Sequence, residues 1–329
     1  MKNLRRFSTL AILLLLVIFA FLKLIKGSIW DGTHRFTMII QELPGEVQKT
    51  KSLAIFSIEP VENRAIYTLI PANVLLEVPY GYNNYQAASI YQLGELDKGR
   101  GGGRLLTKSI EATFGIAVDG YLVAKEDALP YLPKDAEQIK QIKPLYFSLL
   151  KGIFSLPSLL LKTKTIHTNL SFMDKWRLWN AIRKIRIDQI SFSNLIDNQA
   201  LKIDHLPDGT EVMLINRDLI DSFFSDHFQD ARIREENISL EVVNATDKEG
   251  LANEFSRILE HMGANVVLKN TAKEQLKDAC YVYYSKDKVR SSAIVTKLRQ
   301  FYKCVVENVN NGQTNLSDVR IVLGEGYIK

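Results

Sequence analysis

From residue 52 onward, dense apolar runs alternate with polar turns. Ser52-Leu-Ala-Ile-Phe-Ser-Ile-Glu-Pro60 and Ala65-Ile-Tyr-Thr-Leu-Ile-Pro71 are short, rich in β-branched and aromatic residues, and separated by the polar stretch Val61 to Arg64. They predict paired strands buried on both faces. After Pro79 the pattern changes. Tyr80 to Asn84 predicts a turn, Tyr85 to Leu96 a helix, Gly99 to Gly103 a loop, and Arg104 to Phe114 a second helix. Arg35 to Gln41 and Tyr121 to Ala124 read as further strands. Pro144 to Leu161 is strongly apolar, but Lys151 and Pro157 interrupt it and make it a poor membrane span. It reads as a core helix. The functional alternative is an apolar lip on a bilayer or around a lipid tail, with Phe147, Leu150 and Phe154 as its candidate lining.

The second half follows the same logic. A helix starting at Thr168 carries Trp176, Trp179 and Ile182 on a core face, with Lys175, Arg177, Arg183, Lys184 and Arg186 as solvated charges. Leu206 to Thr210 is a turn, Asp218 to Asp230 a helix, and the polar stretch Arg232 to Asn237 a candidate linker. Ile238 to Val243 alternates as a strand. Thr246 and Glu249 have capping-box spacing. Leu251, Phe255, Ile258, Leu259 and Met262 recur at helical spacing, and Gly263 stands where a helix ends. Strands at Asn265–Leu268, Cys280–Tyr284, Cys304–Val309 and Val319–Leu323, with a helix from Lys288 to Tyr302, complete a compact βαββαββ module.

The N-terminus sets the compartment. Lys2, Arg5 and Arg6 precede an apolar run from Thr9 to Leu22, and Lys23 and Lys26 follow it. The span is about 17 residues if Lys23 snorkels, the lower limit for crossing a bilayer. No Ala-x-Ala cleavage site ends it. The expectation is an uncleaved, single-pass anchor in the cell membrane, with a cytoplasmic N-terminus and an extracytoplasmic bulk. The alternative, a cleaved signal, leads to the same compartment. A composition of 46% hydrophobic and 24% charged residues predicts a globular chain, and the net charge of +5 lacks the aromatic-interleaved basic run of a nucleic-acid binder. Cys280 and Cys304 are the only cysteines, so they are either a disulfide or two small buried hydrophobes. The five His are scattered, and no metal-ligand pattern is present.

Val243-Asn-Ala-Thr246, Gly250-Leu-Ala252, Met262-Gly-Ala-Asn-Val266, Tyr281-Val-Tyr-Tyr284 and Ile321-Val-Leu-Gly324 resemble the C-terminal domain that follows LytR-CpsA-Psr (LCP) domains in bacterial envelope proteins. Phe56-Ser-Ile-Glu-Pro60, Leu69-Ile-Pro71, Glu77-Val-Pro79 and Leu105 to Ile116 resemble the first part of the LCP catalytic domain. The resemblance implies envelope biogenesis, the transfer of anionic glycopolymers from a polyprenyl diphosphate carrier to peptidoglycan, and Mg²⁺. It also implies an Arg and an Asp before the first strand, where Lys49 and Lys51 stand, and an Arg-Asp pair after Ile70-Pro71, where Ala72 and Asn73 stand. Phosphoryl transfer needs cations, and carboxylates that hold a metal. Ala72 supplies neither, and Lys is not a bidentate Arg fork.

The expected architecture is α/β: an anchor over residues 1–27, a divergent LCP-like domain with a central mixed sheet over 28–231, a linker at 232–237, and a small C-terminal α/β domain over 238–329. The expected function is non-catalytic, with no confident catalytic residue and no bound metal. The partners are the membrane and a lipid-linked precursor, peptidoglycan or another wall polymer, or a protein. The alternative is an active LCP-type phosphotransferase using Mg²⁺. Lys49, Lys51, Arg100 and Arg104 form the candidate diphosphate patch, and Gly99 to Gly103 is either a backbone phosphate cradle or a flexible loop. Transcriptional regulation rests only on the family's historical naming, and the anchor argues against it.

Overall fold

The computed structural model describes residues 27–43, 53–124, 132–148, 165–197, 199–308 and 316–328. Thr9–Leu22, Lys49, Lys51, Leu150 and Phe154 lie outside them. Among the described residues no helix is long and apolar enough to cross a membrane.

Strands β1 (Phe36–Glu42), β2 (Leu53–Glu59) and β3 (Arg64–Ile70) form the centre of a six-stranded sheet. β2 pairs antiparallel with both neighbours, Leu53 lying opposite Ile70 and Glu59 opposite Arg64. A hairpin joins β4 (Leu75–Val78) to β5 (Asn83–Gln86). β6 (Gly120–Ala124) and β8 (Ile190–Asn194) add parallel to β1 and β3, and β7 (Ile166–Thr168) adds antiparallel to β6. The order is β7-β6-β1-β2-β3-β8, a mixed sheet. The apolar runs are continuous because both faces are covered. Leu53, Ile55, Ile66 and Ile70 enter one core, with helices α1 (Ile90–Leu96), α2 (Gly102–Phe114) and, later in the chain, Arg217–His227. Ala54, Ile58, Ala65 and Tyr67 face helices α3 (Ala136–Tyr146) and α4 (Phe172–Lys184) on the other side.

After the hairpin of β9 (Leu201–His205) and β10 (Glu211–Ile215), α5 (Arg217–His227) and α6 (Ala231–Glu236) lead into a second sheet. Its strands are β11 (Ser239–Asn244), β12 (Asn265–Thr271), β13 (Cys280–Tyr284), β14 (Val305–Asn308) and β15 (Val319–Leu323), in the order β12-β11-β15-β13-β14. α7 (Leu251–His261), α8 (Asp287–Arg290) and α9 (Ala293–Gln300) accompany it, and α10 (Glu325–Ile328) follows it. Leu251, Phe255, Ile258, Leu259 and Met262 are all buried, as their spacing predicts, and Gly263 takes φ 88° after the helix. A disulfide joins Cys280 to Cys304, with Cα atoms 4.5 Å apart.

Several local expectations needed correction. Tyr85 does not start a helix. Tyr80, Gly81 and Asn83 all take positive φ, which turns the chain back so that β5 pairs with β4, and α1 starts only at Ile90. Thr246 and Glu249 form no capping box. The Thr246 hydroxyl donates to Asn244 Oδ1 and accepts from the Lys248 amide, while Gly250, at φ 78°, precedes the helix. The helix expected from Lys288 to Tyr302 breaks at Ser291–Ser292, where Ser292 Oγ caps the Val295 amide. Residues 231–236, most of the expected linker, are helical, and Asp230 caps that helix at the amides of Arg232 and Ile233.

The two sheets are tied by charged groups. Arg257 of α7 donates to the carbonyl oxygens of Ala112 and Thr113 (3.1 and 2.9 Å) at the end of α2, and it pairs with Asp221 of α5. Gly115 ends α2 at φ 63°, and a Cβ there would come within 2.8 Å of the Arg257 side chain. Lys297 of α9 pairs with Asp119, whose other oxygen accepts the Thr37 amide at 2.9 Å; both side chains are buried. Glu236 accepts the Ala293 amide at the start of α9.

Leu259 is fully buried, so Leu259→Ala is expected to cost about 2–5 kcal/mol in urea unfolding. His261 lies buried beside Asp221 and Arg257. Burial above all holds its imidazole pKa down, against the pull of Asp221. A depressed folded-state pKa means this contribution to stability is complete above the unfolded-state pKa and is lost as pH falls through the folded one. Stability is expected to decline as pH falls below about 6.5, the ordinary imidazole value, and His261→Gln to flatten that part of the urea–pH profile.

Candidate functional site

The end of β3 carries Pro71, Ala72 and Asn73. The carbonyl oxygens of Ala72 and Asn73 accept the amides of Ala88 (3.1 Å) and Met213 (3.0 Å). Gln41, fully buried nearby, donates to the Ala88 carbonyl at 3.0 Å. The backbone here serves the fold, and Ala72 offers no ligand atom. Among the described residues no three His, Cys, Asp or Glu side chains are grouped to hold a metal ion.

A charged cluster does form, at the opposite end of the same sheet. Arg35, entering β1, donates to Ser57 Oγ (2.9 Å) and the Gln229 carbonyl (2.7 Å) and lies 3.5 Å from Glu59. Asp230 accepts the Arg35 amide at 2.8 Å. Burial lowers the Arg35 guanidinium to about 10, and burial with the Asp230 charge raises Glu59. The cavity among Arg35, Thr37, Asp119, Asp230, His261 and Lys297 measures only about 20 Å³, room for one water. This cluster joins the two halves and is closed to a substrate.

The open site is a cleft of about 510 Å³ between the two sheets. One wall is the α1–α2 turn with Arg100 and the start of α2 with Arg104 and Lys108; Tyr121 and Asn169 stand beside it. Phe301, Tyr302 and Tyr327 come from the C-terminal half. Arg100 and Arg104 thus share a cleft. Arg100 is also engaged internally, paired with Asp97 at 2.9 Å and stacked 4.3 Å over the Tyr80 ring. Lys49 and Lys51 are not described. Phe147 packs against Ile58, Ala65, Ile182 and Ile185 rather than lining an open apolar pocket. Trp179 and Ile182 are buried as expected, but Trp176 is 45% exposed.

The glycine run is a packing device. The amides of Gly99 and Gly102 are taken by the carboxylates of Asp97 (3.0 Å) and Glu95 (2.8 Å). Those carboxylates oppose a phosphate at the start of α2. A Cβ on Gly102 would lie 2.5 Å from the Tyr91 carbonyl, and one on Gly103 would lie 2.1 Å from the Tyr121 ring. The glycines let α2 press against α1 and let Tyr121 lie over it.

The cleft brings together phenols, cations and carboxylates. Burial, reinforced by Glu95, raises the Tyr121 phenol. Burial holds Tyr302 and Tyr327 well above the ordinary tyrosine value. These phenols stay protonated at neutral pH and offer hydroxyls and ring faces. The carboxylates are in use: Glu95 at Gly102, Glu111 at Lys108 and the Val118 amide, Asp119 at Lys297. The sequence reading named Arg100 and Arg104 as diphosphate candidates without a cleft, and did not single out Tyr121, Asn169, Phe301 or Tyr327 as site residues. Nothing local marks Phe301 or Tyr327, because their partners lie about 200 positions away. Gly103→Ala is expected to displace Tyr121 and cost about 1–3 kcal/mol in thermal unfolding, whereas a flexible-loop glycine would tolerate the methyl.

Residues 237–327 match the family described as LytR cell envelope-related transcriptional attenuator. No curated protein matches the chain. Among solved structures, TagT of B. subtilis is 15% identical, covering 59% of this chain and 89% of that one, with a TM-score of 0.40. The LytR-CPS2A-psr family protein YwtF (TagT) with bound octaprenyl pyrophosphate lipid is 16% identical over 59% and 89%, with a TM-score of 0.39. A transcriptional regulator from Enterococcus faecalis, EF0465, is 8% identical over 70% and 88%, with a TM-score of 0.40. The chain thus carries a LytR-type C-terminal domain at residues 237–327, and its resemblance is to LytR-CpsA-Psr proteins.

Proposed function

We propose that this is a membrane-anchored, extracytoplasmic protein of cell-envelope polymer assembly that binds its partner without turning it over. Residues 28–231 are its divergent LCP-like part and residues 238–329 its C-terminal domain. The observation that carries the non-catalytic reading is the end of β3. Ala72 and Asn73 occupy the positions where the resemblance implies Arg and Asp, and their carbonyls are spent on Ala88 and Met213. A diphosphate there lacks a charge-assisted bidentate contact, and a divalent cation lacks carboxylate ligands. Losing one such transition-state contact typically costs about 10²–10³ in rate. The place left for a ligand is the cleft between the halves, where Arg104, Asn169 and the tyrosines suit a lipid-linked precursor's polar head or a wall polymer.

The purified chain, given a polyprenyl diphosphate-linked saccharide with Mg²⁺ or Mn²⁺, is expected to release and transfer nothing. It is expected to bind the saccharide in a way that Arg104→Ala and Tyr121→Ala weaken, read by calorimetry. Metal-dependent turnover abolished by Lys51→Ala or Arg104→Ala would establish the transferase instead. For the topology, protease added to intact spheroplasts is expected to digest residues 28–329. Full protection of the C-terminal domain would refute an extracytoplasmic placement.

A further inference from the structure

Asp174, in the first turn of α4, is fully buried and gathers the chain that follows the N-terminal apolar run. Its carboxylate accepts the Ser28 hydroxyl (2.6 Å) and the amides of Ile29 and Trp30 (3.0 Å each), as well as the Ser171 amide and hydroxyl. Burial opposes its charge, but these donors hold it below the usual carboxylate range. Arg177, one turn on, donates to Ser28 Oγ at 2.7 Å and to the Trp30 carbonyl. Residues 28–30 are therefore stapled to the start of α4. Five peptide steps separate Leu22, the end of the apolar run, from Gly27. An extended chain covers at most about 3.6 Å per residue, so Gly27, next to the stapled Ser28, lies within about 18 Å of that run.

What α4 exposes at this place is unusual for the molecule. Phe172 is 47% exposed, Trp176 45% and Ile29 43%. Phe172 and Trp176 are four residues apart and share one helix face. The Trp179 indole donates to the Tyr146 carbonyl at 3.1 Å, which sets the end of α3, with Leu145 49% exposed, beside the same helix. Burial pulls the ammonium groups of Lys143 and Lys175 below their ordinary values, as expected for long cations lying along apolar surface. Other exposed apolar residues, such as Val61, Leu96 and Val267, belong to separate elements and need no partner.

We infer that the face of α4 carrying Phe172 and Trp176, with Ile29 beside it, rests in the headgroup layer of the bilayer, with Lys175 at the lipid phosphates. Tryptophan and basic residues together are the composition that favours a membrane interface over either water or the hydrocarbon core. The tether at Asp174 supplies the proximity, because the segment leaving the membrane and the exposed face share one carboxylate. The inference rests on reading Thr9–Leu22 as a membrane anchor, and it goes further by giving the ectodomain a fixed face toward the lipid.

The test uses the full-length chain reconstituted in vesicles of phosphatidylcholine and phosphatidylglycerol, with and without bromine on the upper acyl chain. Trp30 and Trp179 are 4% and 7% exposed, so Trp176 is the accessible reporter among the three tryptophans. Brominated lipid is expected to quench emission of the wild type, and Trp176→Phe is expected to lose that quenching while keeping the remaining tryptophan emission of the folded chain. Phe172→Ser is expected to reduce it. Carbonate washing separates the two readings. A chain that stays with the vesicles but whose Trp176 is unquenched overturns the docking alone. A chain that carbonate releases overturns the anchor and the docking with it.

Discussion

The arrangement of the molecule depends on a small set of charges withdrawn from water between its two halves. Lys297 and Asp119 are each 8% exposed, and Arg257 reaches across to two carbonyls at the end of α2. Moving such groups out of water is expensive, and only good geometry with further hydrogen bonds offsets it. Here the further bonds exist: Asp119 also holds the Thr37 amide, and Arg257 also holds Asp221. Removing one member leaves the other buried and unpaired, which typically costs about 3–5 kcal/mol. These contacts therefore favour one docking geometry, and the cleft between the sheets exists because of it.

That cleft separates two roles that an envelope transferase would be expected to unite. Buried charge gathers at the Arg35 end of the first sheet, where it is enclosed and structural. The opposite end, at Ala72 and Asn73, is held by backbone hydrogen bonds. The accessible cations sit elsewhere, at the start of α2, beside carboxylates from the same turn. The cleft there combines ring faces, protonated phenols and charges paired within the fold.

Buried polarity also sets the molecule's outer boundary. Asp174 resembles Asp119 in being a buried carboxylate saturated with donors, but its donors come from residues 28–30 and the cap of α4. One carboxylate joins residues 28–30 to a helix that is almost 150 positions away in sequence.

The chain's own pattern was enough for the parts that depend on local periodicity. The β2–β3 pair, the buried face from Leu251 to Met262, the turn at Gly263 and the βαββαββ order follow from spacing and turn chemistry, because burial on one face or two leaves a repeat in the sequence. The resemblance of residues 238–329 to a LytR-type domain was carried by particular motifs, such as Val243–Thr246, Met262–Val266 and Ile321–Gly324, and not by periodicity. Tertiary structure decided what local signals leave open. Asn83–Gln86 became a strand because a partner lay across a turn of left-handed residues, and residues 231–236 became a helix because Asp230 capped it. Trp176 is exposed although its spacing from Trp179 and Ile182 places it on the core face, because periodicity gives a direction and not the presence of a neighbouring layer. Gly102 and Gly103 proved to be contact points for Tyr91 and Tyr121 rather than a phosphate cradle. The cleft could not be read from the chain at all, because Arg104 and Tyr327 become neighbours only when two independently patterned sheets are held together by buried charge.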